Sequence, residues 1–160
     1  MTHATTITAQ PGLPFIEVTR EFDAPVAAVF RAHTDPALFS QWTGPRSLKM
    51  DTLELDARAG GRWHYTFHGS DNVEYGFGGV FHTVEPNRLI IQTFEFNLAP
   101  HQVGVGTFTF EEADGRTRLA VHELYPSVEG RDMALASGME HGIHEGYERL
   151  DELLPSVTGS

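Results

Sequence analysis

The chain contains no cysteine, which excludes disulfides, thiolate metal sites and thiol nucleophiles together. Lysine is almost absent as well: Lys49 stands alone, and the ten arginines are scattered. With 22 acidic against 11 basic residues and a net charge of −11, the chain lacks the clustered cations that nucleic acid or an anionic membrane requires. No apolar run approaches the ~20 residues of a spanning helix. Met1 to Gln10 lacks the basic and apolar parts of a signal peptide, so a cytoplasmic protein is expected. Neither Gly-x-Ser-x-Gly nor a serine framed by a strand-to-helix elbow occurs, and nucleophilic catalysis finds no support.

What is present suits one globular domain: 160 residues, 40% hydrophobic, with 11 phenylalanines that favour an apolar interior with few polar handles. Residues 1–13, rich in Thr and closed by Pro11-Gly-Leu-Pro14, read as a flexible tail, and 156–160 as a flexible end. The domain between them, 14–155, opens on strict alternation: Ile16, Val18, Arg20 and Phe22 against Phe15, Glu17, Thr19 and Glu21. Two short helices follow, at about 25–33 and 36–42. Asp23 and Asp35 are placed to cap them, with Pro25 and Pro36 in their first turns.

From Ser47 to Leu124 six alternating runs are separated by turn chemistry, the clearest being Ala113-Asp-Gly115. Tight turns imply antiparallel neighbours, giving seven strands in all. Gly76-Phe-Gly-Gly79 falls inside one of them, where it suits a bulge or sharp curvature rather than a phosphate loop. Asp132 to Leu154 reads as one long helix ended by Pro155, with Leu135, Met139, Ile143, Tyr147, Leu150 and Leu154 forming an apolar stripe. The pattern predicts an α+β fold: a curved antiparallel sheet closed around that helix, which packs across the concave face.

Several residues single themselves out. On Trp63-His-Tyr-Thr-Phe-His68, Trp63, Tyr65 and Phe67 share one face and His64, Thr66 and His68 the other. The aromatic face should point inward with Phe77, Phe81, Phe94, Phe108 and Phe110, lining either an ordinary core or a ligand pocket. Glu123 follows Leu119 and Val121 in parity, so its carboxyl should point inward too. An inward carboxyl is costly unless paired or protonated; it marks either a functional site or a salt bridge at the strand end. Gly138, Gly142 and Gly146 recur every four residues and call for close backbone approach, to the sheet or a second subunit, or for space left beside a ligand. His64 and His68 stand ~13 Å apart along a strand, too far to share an ion. His141 with Glu145, and His144 with Glu148, have a usable spacing, but the His-Glu-x-x-His order is missing. No metal and no cofactor is expected.

Taken in order, Arg20-Glu-Phe-Asp-Ala-Pro25, Thr34-Asp-Pro36, Trp42-Thr-Gly-Pro-Arg46, Gly60-Gly-Arg-Trp63, Gly79-Val-Phe, Thr107-Phe-Thr-Phe-Glu, Gly115-Arg-Thr-Arg-Leu119 and Ser137-Gly-Met-Glu-His-Gly142 resemble the START-like helix-grip superfamily known as SRPBCC. Within it the chain is similar to the bacterial branch related to the C-terminal domain of heat-shock-protein-90 ATPase activators, over roughly residues 15–154. Thr43 and Ile143 depart from it, since many relatives carry a tryptophan at each place. The resemblance implies a helix-grip fold and a range of functions from lipid binding to chaperone regulation.

The expected function is binding of a small apolar or aromatic molecule between the sheet and the C-terminal helix. Its walls would be Trp42, Trp63, Tyr65, Phe67, Phe77, Phe81, Phe94, Phe108, Phe110, Glu123, Met139, Ile143 and Tyr147. Two rivals stand beside it: a protein–protein module akin to chaperone ATPase activators, and a cyclase or hydrolase using Glu123 as acid and base. Expected partners are the apolar ligand and a second copy in a homodimer, with nucleic acid and membrane excluded.

Overall fold

In the computed structural model, which describes residues 3–158, alternation becomes strand wherever one parity can be buried. Strand β1 (Thr6–Thr8) is followed by β2 (Phe15–Phe22), helices α1 (Val26–Thr34) and α2 (Pro36–Trp42), and strands β3 (Lys49–Leu55), β4 (Arg62–His68), β5 (Glu74–Glu85), β6 (Leu89–Phe96), β7 (Gly104–Ala113) and β8 (Arg116–Leu124). Helices α3 (Val128–Ala136) and α4 (Met139–Thr158) close the chain. All eight strands form one antiparallel sheet in the order β1-β2-β8-β7-β6-β5-β4-β3. β3 to β8 are a meander, so only the α1–α2 crossover from β2 to the far edge departs from nearest-neighbour pairing.

The helices lie on one face of this sheet. Ile16, Val18, Arg20 and Phe22 of β2 are buried, while Glu17 and Glu21 are exposed. Phe22 meets Tyr147 of α4 edge-on at 5.6 Å, and Phe30 of α1 meets Phe110 of β7 at 5.2 Å. Phe39 of α2 lies 5.6 Å from Tyr65 of β4. Tyr147, Leu150, Leu154 and Val157 carry the buried stripe of α4, at helical spacing. Arg20 shares the inward face with these apolar side chains. Its guanidinium donates to Asp151 of α4 at 3.1 and 2.5 Å, to the Glu21 carbonyl at 2.6 Å and to Thr5 Oγ1 at 3.2 Å.

Four expectations are corrected. The sheet has eight strands, because Thr6–Thr8 of the supposed tail pair with Thr19, Val18 and Glu17. A three-residue strand is too short to declare a period. The remaining tail and end positions 1–2 and 159–160 lie outside the described residues. The long helix is two: Gly138, at φ +86°, takes the left-handed turn that ends α3 before α4 begins. The stretch through Gly142 is unbroken. Pro155 does not end α4, which runs to Thr158; buried Val157 anchors the added turn. Finally, only Asp35 caps, accepting from Ala37 N at 2.9 Å; Pro25 itself is the N-cap residue of α1. Asp23 faces His3 and Arg116, and Glu112 of β7 accepts from Val26 N at 2.7 Å.

Candidate functional site

Cross-strand pairing sets which side chains converge on the helix-covered face. Trp63, Tyr65 and Phe67 of β4 sit opposite Gly79, Phe77 and Tyr75 of β5, and Phe77 sits opposite Phe96 of β6. The rings form a continuous run: Trp63–Tyr65 at 5.5 Å, Tyr65–Phe67 at 5.4 Å, Tyr65–Phe77 at 5.5 Å and Phe77–Phe96 at 4.9 Å. His64 and His68 point away and are exposed. Thr66 shares their face but is buried, covered by Thr52, whose hydroxyl lies 2.6 Å from its own.

The named pocket residues divide into two groups. Trp42, Trp63, Phe67, Phe81, Phe110 and Tyr147 are fully packed. Trp42 stacks on Tyr147 at 6.0 Å and donates from Nε1 to the Ala32 carbonyl at 2.9 Å. Tyr65, Phe77, Phe94, Phe108, Glu123, Met139 and Ile143 face the same way but keep partial exposure. Of this second group, Phe94 and Met139 reach Glu123 through Tyr125, and Tyr65 feels its charge. Two of the three expected glycines lie where α4 passes the end of α2: a Cβ on Gly142 would make ordinary contact with Pro45 at 3.5 Å, and one on Gly146 with the Trp42 carbonyl oxygen at 3.4 Å.

Glu123 lies opposite Ile16 on one side and Gly106 on the other. Its carboxylate accepts from Tyr125 Oη at 3.2 Å, and that hydroxyl lies 3.7 Å from Met139 Sδ. No cation among the described residues bonds to it. Burial of the carboxyl therefore raises its pKa above the ordinary carboxylate range, against a smaller lowering by the Tyr125 bond. Burial, reinforced by the Glu123 charge, likewise pushes the Tyr65, Tyr125 and Tyr147 hydroxyls well above their usual values. Neither Tyr65 nor Tyr147 makes a side-chain hydrogen bond to another described residue.

This geometry carries a stability consequence. A carboxyl whose folded pKa is raised keeps its proton longer in the folded chain than in the unfolded one, so stability is lost as pH rises above the unfolded value. Glu123→Gln keeps the acceptor for Tyr125 and removes that loss. Urea unfolding at pH 7 should find the variant more stable by roughly 1 kcal/mol, the gain fading towards pH 4.5. A variant less stable at pH 7 would mean that the carboxylate is charged and held by a partner.

Two inward polar groups escaped the sequence reading. Gln92 of β6 shares parity with Ile90 and Phe94 and sits opposite Gly106 and Phe81; its amide makes no hydrogen bond to another described residue. His33 of α1 is 7% exposed; its Nδ1 donates to the Val29 carbonyl at 2.8 Å, and its Nε2 is buried without a partner. Parity on the strand and position one turn after Val29 were the available signals. Among the described residues no group of three or more His, Asp or Glu is arranged to hold a metal ion, and no helix is long and apolar enough to cross a membrane.

A single antiparallel sheet covered on one face by a crossover helix pair and a C-terminal helix defines a helix-grip protein. The family model described as activator of Hsp90 ATPase homolog 1-like protein matches residues 23–155, and the chain belongs to that family. Protein Ms6760 from Mycobacterium smegmatis is 25% identical, with a TM-score of 0.85 over 94% of this chain and 97% of its own. A protein from Rhodobacter sphaeroides is 25% identical, with a TM-score of 0.85 over 94% and 98%. The AHSA1 protein from Silicibacter pomeroyi, 21% identical with a TM-score of 0.73 over 88% and 97%, shares the fold. No curated protein matches the chain.

Proposed function

We propose that this protein binds a small apolar or aromatic molecule between the sheet and α4, with Glu123 in the wall of the site. The observation that carries the reading is a half-buried carboxyl kept without a cation, on a face where several aromatic side chains stay partly exposed while the rest is tightly packed. Apolar surface there would contribute about 25 cal/mol per Å² covered by a ligand, and the few polar groups would orient it. Nile red, an uncharged dye whose emission reports an apolar environment, should bind the folded protein and be displaced by aromatic competitors. Ile143→Trp, which adds bulk at the half-buried start of α4, should weaken dye binding at least tenfold while far-UV circular dichroism stays unchanged. Dye that ignores the folded parent, or binds Ile143→Trp equally well, would refute the reading.

A second reading is favoured by a separate feature. Phe15, Leu124 and Val105 form a row across the face opposite the helices, and Leu124 and Val105 are exposed. Together with the family's description, that row supports a protein–protein module. Pull-down against a chaperone with Val105→Glu as control would separate this from ligand binding.

A further inference from the structure

One row of the sheet differs from those beside it. In the row Val18–Val121–Phe108–Ile90 every inward position carries an apolar side chain. The neighbouring row runs Ile16–Glu123–Gly106–Gln92 and places two polar side chains on either side of a glycine. Two strand spacings separate Glu123 from Gln92, about 10 Å between backbones. Gly106 itself places no side chain between them; the ring of Phe108 leans over it, so that a Cβ there would meet Phe108 at 3.3 Å and Phe94 at 3.8 Å. The result is a pair of aromatic walls closing over a glycine along one axis, with hydrogen-bonding groups along the other.

Resting on the binding reading above, we propose that this row is the recognition element of the site and that it selects an uncharged aromatic ring bearing hydroxyl or carbonyl oxygens over a carboxylate of the same size. The flat walls accept a ring. The Gln92 amide has both a donor and an acceptor to offer and spends neither on its neighbours. Glu123 discriminates through its charge: protonated, it donates to a ligand oxygen; ionised, it repels a second negative charge. No cation offsets it, because Arg20 is committed to Asp151 and Arg131 to the carbonyls of Gln10 and Phe15 and to Asp132. A fatty acid or aromatic acid entering here would leave its carboxylate unpaired.

Displacement of Nile red by naphthalene, 2-naphthol and 2-naphthoate at pH 7 tests this directly. 2-Naphthol should compete at least tenfold better than 2-naphthoate. Gln92→Leu should bring 2-naphthol down about tenfold, towards naphthalene, which is the worth of one lost hydrogen bond. Glu123→Gln should keep 2-naphthol binding and admit 2-naphthoate, because the hydrogen-bonding group remains and the charge is gone. Equal binding of all three competitors, or a preference for 2-naphthoate that survives Glu123→Gln, overturns the proposal while leaving the site itself intact. Failure of Nile red to bind at all removes the binding reading instead.

Discussion

Asp151→Ala is expected to cost about 3 kcal/mol of folding stability, the largest effect of a single truncation outside the aromatic core. Arg20 is 2% exposed and stands on the inward face of β2 among Ile16, Val18 and Phe22. Its charge is offset by a carboxylate on α4 that meets it through two nitrogens, at 3.1 and 2.5 Å. Taking a guanidinium out of water is costly, and removing its partner leaves that cost uncompensated. The bonds to the Glu21 carbonyl and Thr5 remain, which holds the loss near the low end of the usual range. Thermal unfolding should fall by roughly 6–12 °C for a chain of this size. Replacing both partners at once, Arg20→Met with Asp151→Leu, should recover most of the loss, since apolar pairs of similar volume serve as well as buried ions. A double variant no better than Asp151→Ala would show that the pair acts through something other than charge.

Acidification should destabilise the protein early, between about pH 6.5 and pH 4. His33 is packed against Trp42, Phe110 and Phe108, at ring separations of 4.9, 5.2 and 6.2 Å, and none of these can share a charge. Burial lowers its pKa from 6.5 to about 4, only partly offset by the bond to the Val29 carbonyl. Between those values the unfolded chain holds a proton that the folded chain refuses. Stability is therefore complete above pH 6.5 and falls as pH drops to 4, by about 3 kcal/mol in all. Glu123 shifts in the opposite sense, so the informative quantity is the difference between parent and His33→Phe. Urea titrations across the range should show that difference narrowing by about 3 kcal/mol as pH falls, with the variant nearly flat from this source. Parallel curves would mean that His33 titrates normally and is open to water.

Much of this was legible in the residues. Alternation from Phe15 to Phe22 and from Leu119 to Glu123 set both register and inward parity, because a strand buried on one face cannot slip by one residue without inverting. The same parity pointed Trp63 inward and His64 and His68 outward. Gly138 was harder: three glycines at equal spacing looked alike, yet one ends a helix at positive φ and two lie at ordinary contact distance from Pro45 and Trp42. Composition does not distinguish these uses. Gln92 and His33 were passed over because a polar letter in a strand or short helix is ordinarily solvated, and only the neighbouring elements show what it faces.

The three-residue pairing of Thr6–Thr8 on β2 also bears on the chain's behaviour towards copies of itself. Without it, the eight-residue β2 would offer a row of open amides and carbonyls at the rim of the sheet, a template for edge-to-edge association. His3, reaching Asp23 at 2.8 Å, fastens the strap beyond the pairing. Deleting residues 1–9 should thus leave the domain folded yet shift its elution on size exclusion towards dimers and larger species. The N-terminal strap thus sets whether the molecule stays alone or associates with copies of itself.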